Sequence, residues 1–468
     1  MSGRPDHSPP AGGAREAVHL TLESLMGSAD PVAALEHLSE QNVMACYQCG
    51  MCTADCPFSL TPNLVVRMIQ LGNVEGARAL ATTWECASCY TCQTDCPKGV
   101  SPARLMKALR HLDGRAPREW LAVTPGPGAL GGPGTVMTVQ AGGPNLRGRP
   151  GEGMKSVRAR LLALMPDLFR VASRFGPLGN LALKMPGGRL AAHALLGLHR
   201  ARPLPPLAAE PFARWFAGHA PAGDGRRGRV ILFHDTWMDF NYPRLGRATT
   251  ELLEKTGFRV ELSDTGCCGR PAISKGVHDV AEKCARANIP RLFRQVQGDD
   301  AWIVGSEPSC LLTLRDEYLH LAPELHEQAR VVAARSLLID EFLVMLRDQK
   351  ALDLEFAPAN GRRRVLFHGH CHQKAFASPL KGLALLQAAG YDAELVNAAC
   401  CGMAGAYGYE REHYETSRSA GERALFPALR ANPDADVVIM GVSCRQQIEH
   451  FCDRPTRHLV EALRDALA

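Results

Sequence analysis

Eight of the 17 cysteines fall into two copies of one ladder, Cys46-x2-Cys49-x2-Cys52-x3-Cys56-Pro57 and Cys86-x2-Cys89-x2-Cys92-x3-Cys96-Pro97. That is the ligand spacing of paired 4Fe-4S clusters. A cubane needs four thiolates converging on one small object, so a tight loop supplies three and a distant segment the fourth. In two-cluster ferredoxins the fourth is swapped between ladders. The expected sets are therefore Cys46, Cys49, Cys52 with Cys96, and Cys86, Cys89, Cys92 with Cys56. Zinc ribbons use pairs of Cys-x2-Cys rather than four-Cys ladders closed by proline, and disulfides suit short secreted chains.

A second group of cysteines lies in a repeat. Val230-Ile-Leu-Phe-His234 matches Val365-Leu-Phe-His368, Arg259-Val-Glu-Leu262 matches Ala393-Glu-Leu-Val396, and Trp302-Ile-Val304 matches Val437-Val-Ile-Met440. Each copy alternates strand-like runs with helical stretches, which implies a parallel sheet. In the second copy Cys371 follows the first strand, Cys400-Cys401-Gly402 the second and Cys444 the third. The carboxyl ends of parallel strands share one rim, so these four thiols are expected to hold a third iron-sulfur cluster. Gly269 and Gly402, right after the Cys pairs, would let the backbone turn sharply beside it. The first copy has Cys267, Cys268 and Cys310, but Trp237 stands where Cys371 would be. It is expected to form an incomplete fourth set, which His234 or Asp235 could complete. The histidines of His368-Gly-His370-Cys371-His372 suit redox-linked proton transfer, with loop histidines satisfied by local hydrogen bonds as the blander reading. Lys374 and Arg445 flank the ligand candidates, and Cys284 and Cys452 read as buried cysteines outside the scheme.

These residues call for a multidomain α/β chain. Residues 1–30 read as an N-terminal extension and 31–116 as a mostly helical two-cluster ferredoxin domain. Its helix starts are at Thr61-Pro62, Asn73 and Ser101-Pro102, with a stop at Gly72. A Pro/Gly-rich linker over 117–157 and a helical connector over 158–225 follow, the latter opening on an amphipathic stretch from Arg158 to Phe175. Residues 226–358 and 359–468 are the two copies of a duplicated parallel-sheet domain carrying the Cys-Cys-Gly motif. The formal charge is +5 over 468 residues, and no Lys/Arg block is interleaved with aromatics. Nucleic acid is therefore not an expected partner. The first residues lack the apolar core of a signal peptide, and no apolar run reaches the roughly 20 residues of a membrane-spanning helix. The cysteine content without a secretion signal points to the cytoplasm. A peripheral place on the cytoplasmic face of the inner membrane is the variant of that reading.

With both halves read, the chain resembles the heterodisulfide reductase group. Cys46-Tyr-Gln-Cys-Gly-Met-Cys-Thr-Ala-Asp-Cys-Pro57 and its second ladder look like the group's ferredoxin-type component, and the repeated Cys-Cys-Gly domain looks like its Cys-Cys-Gly component. Gly266-Cys-Cys-Gly-Arg-Pro271, Glu307-Pro-Ser-Cys310, His370-Cys-His-Gln-Lys374, Cys400-Cys-Gly-Met-Ala-Gly405 and Ser443-Cys-Arg-Gln-Gln447 are similar to iron-sulfur subunits of FAD-linked glycolate, D-lactate and anaerobic glycerol-3-phosphate dehydrogenases. Where the family's disulfide-cleaving site closes on Cys-x2-Cys, this chain has Thr313 and Gln447. The resemblance implies an electron-transfer subunit that relays electrons between a flavin dehydrogenase partner and an acceptor such as quinone, with a membrane quinone-reactive subunit as a further partner. No flavin or nicotinamide fingerprint appears, so substrate oxidation is expected on another chain. The rivals are a reductase cleaving a disulfide at the Cys-Cys-Gly cluster, and an iron-sulfur sensor or scaffold.

Overall fold

The computed structural model describes residues 31–111, 121–124, 138–141, 152–175, 180, 181, 185, 193, 194, 196–221, 225–352, 354–356 and 364–467. The extension at 1–30 and most of the 117–157 segment lie outside the described residues. Within that segment, strands β1 (Leu121–Thr124) and β2 (Thr138–Ala141) pair antiparallel.

The ladders sit in a helical domain built as the start signals predict. Pro62 and Pro102 open the helices Pro62–Gln70 and Pro102–His111, where a missing N–H costs nothing. Gly72, at φ +75°, ends the first of these. Asn73 then caps Val74–Ala79, its Oδ1 accepting from Gly76 N at 2.8 Å. A further short helix, Ala81–Glu85, leads into the second ladder. Leu35, Val65, Ile69, Leu105 and Leu109 form the buried centre, and Cys46, Cys86 and Cys96 pack against it.

The second half contains two parallel four-stranded sheets. β3 (Arg229–Leu232), β4 (Arg259–Leu262), β5 (Trp302–Gly305) and β6 (Ser336–Leu338) run in the order β4-β3-β5-β6. β7 (Arg364–His368), β8 (Asp392–Leu395), β9 (Asp436–Ile439) and β10 (Thr456–His458) run in the corresponding order β8-β7-β9-β10. In both, the first strand is central between the second and third. The carboxyl end of that central strand is the topological switch point, where α/β sheets open a ligand crevice. One apolar core spans both sheets through Val230, Ile231, Ile303, Val365, Phe367 and Val438. Each fully buried side chain of this kind is worth about 1.5–3 kcal/mol. The helices Pro243–Lys255 and Leu459–Asp465 pack across the junction of the two units.

The amphipathic stretch from Arg158 to Phe175 falls on two helices, Glu152–Ala163 and Met165–Ala172, broken at Leu164. Pro166 explains the break, because it brings no N–H to the preceding turn. Phe169 of the second helix packs on Trp237, ring centroids 5.9 Å apart. No helix among the described residues is long and apolar enough to cross a membrane.

Candidate metal centres

In the second unit, β7 ends beside Cys371 at the start of helix Cys371–Phe376, the loop after β8 carries Cys400 and Cys401, and Cys444 sits in the first turn of Val442–Cys452. All four thiols are buried and share hydrogen bonds. Accepting from Cys400 holds Cys371 well below the ordinary thiol pKa, and accepting from Cys400 and Cys444 does the same for Cys401. Cys400 and Cys444, as donors, are pushed well up. Gly402 N–H points at Cys400 Sγ at 3.4 Å. Gly402 has φ +95°, and a Cβ there would lie 2.1 Å from the Ser417 carbonyl, so only glycine fits.

The histidines divide by role. His370 Nδ1 accepts from His372 N at 3.1 Å and caps the Cys371 helix. His372 Nε2 donates to the Ser88 carbonyl at 3.0 Å. His368 is buried, and neither ring nitrogen has a partner of good hydrogen-bond geometry; its ring lies against the Cys401 thiol. Lys374 is tied to the Ala398 and Ala399 carbonyls, and Arg445 pairs with Glu461.

In the ferredoxin domain, Cys46, Cys49, Cys52 and Cys96 line one small cavity of about 20 Å³. Burial, then the neighbouring thiols Cys46 and Cys49, push Cys52 up to about 12. Cys56 goes up to about 12 through burial and then through Cys89. Burial, with Cys86 and Cys89 behind it, also raises Cys92. Cys96 thus lies with Cys46, Cys49 and Cys52, and Cys56 lies near Cys86 and Cys89. Cys49 is exposed, whereas Cys56, Cys89 and Cys92 are buried.

That burial comes from the second unit. The Cys400 thiol beside it lowers the Cys89 pKa, and Cys56, Phe58, Cys89, Cys371, Cys400 and Tyr407 form one cluster. Around it Phe58 meets Tyr407 edge-on at 5.0 Å, Tyr90 packs on Phe376 at 4.8 Å, and Arg423 donates to the Cys56 carbonyl at 3.3 Å.

The first unit is built alike but completed differently. Leu232 and Phe367 hold the same place in their sheets, pairing with Leu262 and Leu395. Counting on from them, Asp235 corresponds to His370, and both cap the next helix. The position of Cys371 is therefore Thr236 and not Trp237, which shifts the sequence-based match by one residue. The Thr236 hydroxyl donates to Cys267. Donation to Cys268 and burial raise the Cys267 pKa. Cys268 accepts from Cys267, but donation to Cys310 and burial outweigh this and carry it up as well. Cys310 accepts from Cys268, yet burial with Asp235 and Glu307 nearby leaves it at about 11. Gly269 turns at φ +87°. Behind it stands Cys284, whose Cβ is 3.2 Å from where a Gly269 Cβ would be and whose thiol feels Cys267. Cys284 thus lies beside this thiol group, closer than its helical pattern indicates. Cys452 stays apart, packed against the second unit's core.

Sequence reasoning met Glu307 only as the first residue of Glu307-Pro-Ser-Cys310, without a role, and passed over Arg202. Glu307 Oε1 accepts from Ser309 Oγ at 2.8 Å, and Oε2 accepts from Val442 N at 2.8 Å, so one buried carboxylate joins a helix start of each unit. Arg202 comes from the connector and reaches Gln447.

Among the described residues no three His, Cys, Asp or Glu side chains converge on a single-ion position. Two observations fit a larger, anionic iron-sulfur group: thiols gathered from separate segments, and backbone N–H groups of Ser88, Gly269, Arg270 and Gly402 directed at sulfur.

Comparison with known proteins agrees. Residues 42–100 match the 4Fe-4S dicluster domain and 231–315 the Cysteine-rich domain. The C subunit of the anaerobic glycerol-3-phosphate dehydrogenase of Escherichia coli K12 is 29% identical over 318 residues, covering 67% of this chain and 78% of that protein. The D-2-hydroxyglutarate dehydrogenase of the same strain is 27% identical over 240 residues, 51% of this chain and 22% of its own length. Lactate utilization protein A of Geobacillus thermodenitrificans is 31% identical over 195 residues, 38% of this chain and 74% of its own length. No solved structure matches. With thiol groups and relatives in agreement, the chain belongs to the family of lactate utilization protein A and is an iron-sulfur electron-transfer protein related to the C subunit of anaerobic glycerol-3-phosphate dehydrogenase.

Proposed function

We propose that this chain is the iron-sulfur subunit of an oxidoreductase complex, relaying electrons between a flavin dehydrogenase partner and a downstream acceptor such as quinone, from a cytoplasmic or peripheral position. Residues 31–116 are its ferredoxin domain, and 226–358 and 359–468 are two copies of one Cys-Cys-Gly domain. Cys46, Cys49, Cys52 and Cys96 hold one 4Fe-4S cluster, Cys86, Cys89, Cys92 and Cys56 a second, and Cys371, Cys400, Cys401 and Cys444 a third iron-sulfur cluster. When bound, such groups take up and release single electrons. The chain's own contribution is to fix the thiols, direct N–H groups at sulfur and exclude water from the Cys89/Cys400 junction. Cys267, Cys268 and Cys310 form the incomplete fourth set.

The observation that carries this reading is the buried cluster in which Cys56 and Cys89 of the second thiol set pack with Cys371 and Cys400 of the second unit's set. The exposed Cys49 end is then where the flavoprotein meets the relay. The test is rapid mixing of dithionite-reduced chain with a water-soluble quinone, following the ferredoxin EPR signals. Cys400→Ser should slow their reoxidation at least tenfold. Reoxidation at the wild-type rate contradicts the proposed exit through the second unit.

A further inference from the structure

Arg202 is 5% exposed, and among the described residues no carboxylate acts on its guanidinium. Its Nη1 has no hydrogen-bond partner. Nε donates to the Gly408 carbonyl at 3.0 Å, and Nη2 to the Gln447 side-chain carbonyl, with the Met403 sulfur at 3.1 Å. The group lies over the Phe451 ring at 4.9 Å, and of the groups that act on its charge, Tyr409, Tyr414 and Cys401, only Cys401 belongs to a thiol set. A buried charge without a counter-charge costs several kcal/mol.

The first unit shows the same arrangement with the charge neutralised. Thr313 stands where Gln447 does, counting from Cys310 and Cys444. A guanidinium meets it too, that of Arg270, whose Nη2 donates to Thr313 Oγ1 at 2.7 Å. Arg270 is held by both oxygens of Glu317, at 2.7 and 2.6 Å. The position of Glu317 is taken by Phe451 in the second unit. One unit supplies a carboxylate for its arginine, and the other an aromatic ring.

We propose that Arg202 is the counter-charge of the anionic iron-sulfur group held by Cys371, Cys400, Cys401 and Cys444 and raises its reduction potential. This rests on reading those four cysteines as ligands. Reduction adds one electron from the partner's donor and makes the group more negative, so a fixed cation nearby favours the reduced form. Arg202 touches no cysteine and acts as a positioning charge.

The test is an anaerobic EPR redox titration of the full chain carrying Arg202→Gln. Iron and sulfide content should stay at the wild-type level while the midpoint of one signal falls. At the wild-type midpoint the reduced-to-oxidised ratio should drop about tenfold, which is about 59 mV for a one-electron couple. The ferredoxin signals should not move, and Arg202→Lys should restore most of the shift. An unchanged midpoint, or an equal shift of every signal, overturns the proposal. Should Arg202→Gln lose the cluster, Gln447→Glu decides: a carboxylate paired with Arg202 should lower the same midpoint, and no shift overturns the proposal. Full iron content in Cys400→Ser would instead remove the ligand reading beneath it.

Discussion

His372 Nε2 lies 3.0 Å from the Ser88 carbonyl oxygen, a buried hydrogen bond that ties the second cysteine ladder to the helix starting at Cys371. Burial takes the imidazole down to about 4, so it is neutral near pH 7 and donates through Nε2–H. His372→Phe keeps a ring beside Tyr90 but leaves that carbonyl without a donor. The expected cost is about 1–3 kcal/mol, read by denaturant unfolding, with slower electron passage between the ferredoxin clusters and the second unit.

Gly402→Ala should destabilise the chain by more than Gly50→Ala does. Both have positive φ, +95° and +82°, but a Cβ at 402 meets the Ser417 carbonyl whereas one at 50 meets open space. Backbone strain alone costs about 1–3 kcal/mol. Equal unfolding midpoints for the two variants would remove the steric argument.

Asp340 gives a pH dependence away from the cysteines. Its Oδ2 accepts from Gln373 at 2.6 Å, Oδ1 has no partner, and burial, with Glu341 next to it, carries the carboxyl up to about 7. A carboxyl raised on folding binds its proton more tightly in the native state, so its contribution to stability falls as pH rises from about 4 to 7. Asp340→Asn should lose that slope and gain up to about 4 kcal/mol over the wild type across that window. Unfolding curves at pH 4.5 and 7.5, by order of magnitude the ends of the window, measure the difference.

Glu317→Gln tests the ionic tie between the ferredoxin domain and the first unit. Glu317 accepts from Arg270 and from Lys107 Nζ at 2.7 Å; burial alone would raise its carboxyl, but these two cations hold it well below the usual carboxylate range. Removing the charge leaves two half-buried cations short of a partner and should destabilise the chain, by up to about 3 kcal/mol, read by denaturant unfolding.

The ladders were legible because their spacing is itself the chemistry. The parallel sheets were legible from apolar runs repeating with the cysteines at their ends. The Thr236 register was not: Phe-His occurs in both copies and invites a direct match, while only the pairing of Leu232 with Leu262 and of Phe367 with Leu395 fixes the count. Arg202 left no signal, since it lies outside both repeats and only the folded connector brings it to Gln447. Cys284 sits in a helical pattern, and its approach to Cys267 depends on the tight turn at Gly269.

The most direct test of the account is iron and acid-labile sulfide analysis of anaerobically purified chain, with EPR during a redox titration. At four irons per cluster, about 12 irons per chain are expected, and about 8 in Cys400→Ser with the ferredoxin signals intact. About 16 would mean that Cys267, Cys268 and Cys310 hold a cluster as well. Colourless protein holding zinc or no metal would contradict the account.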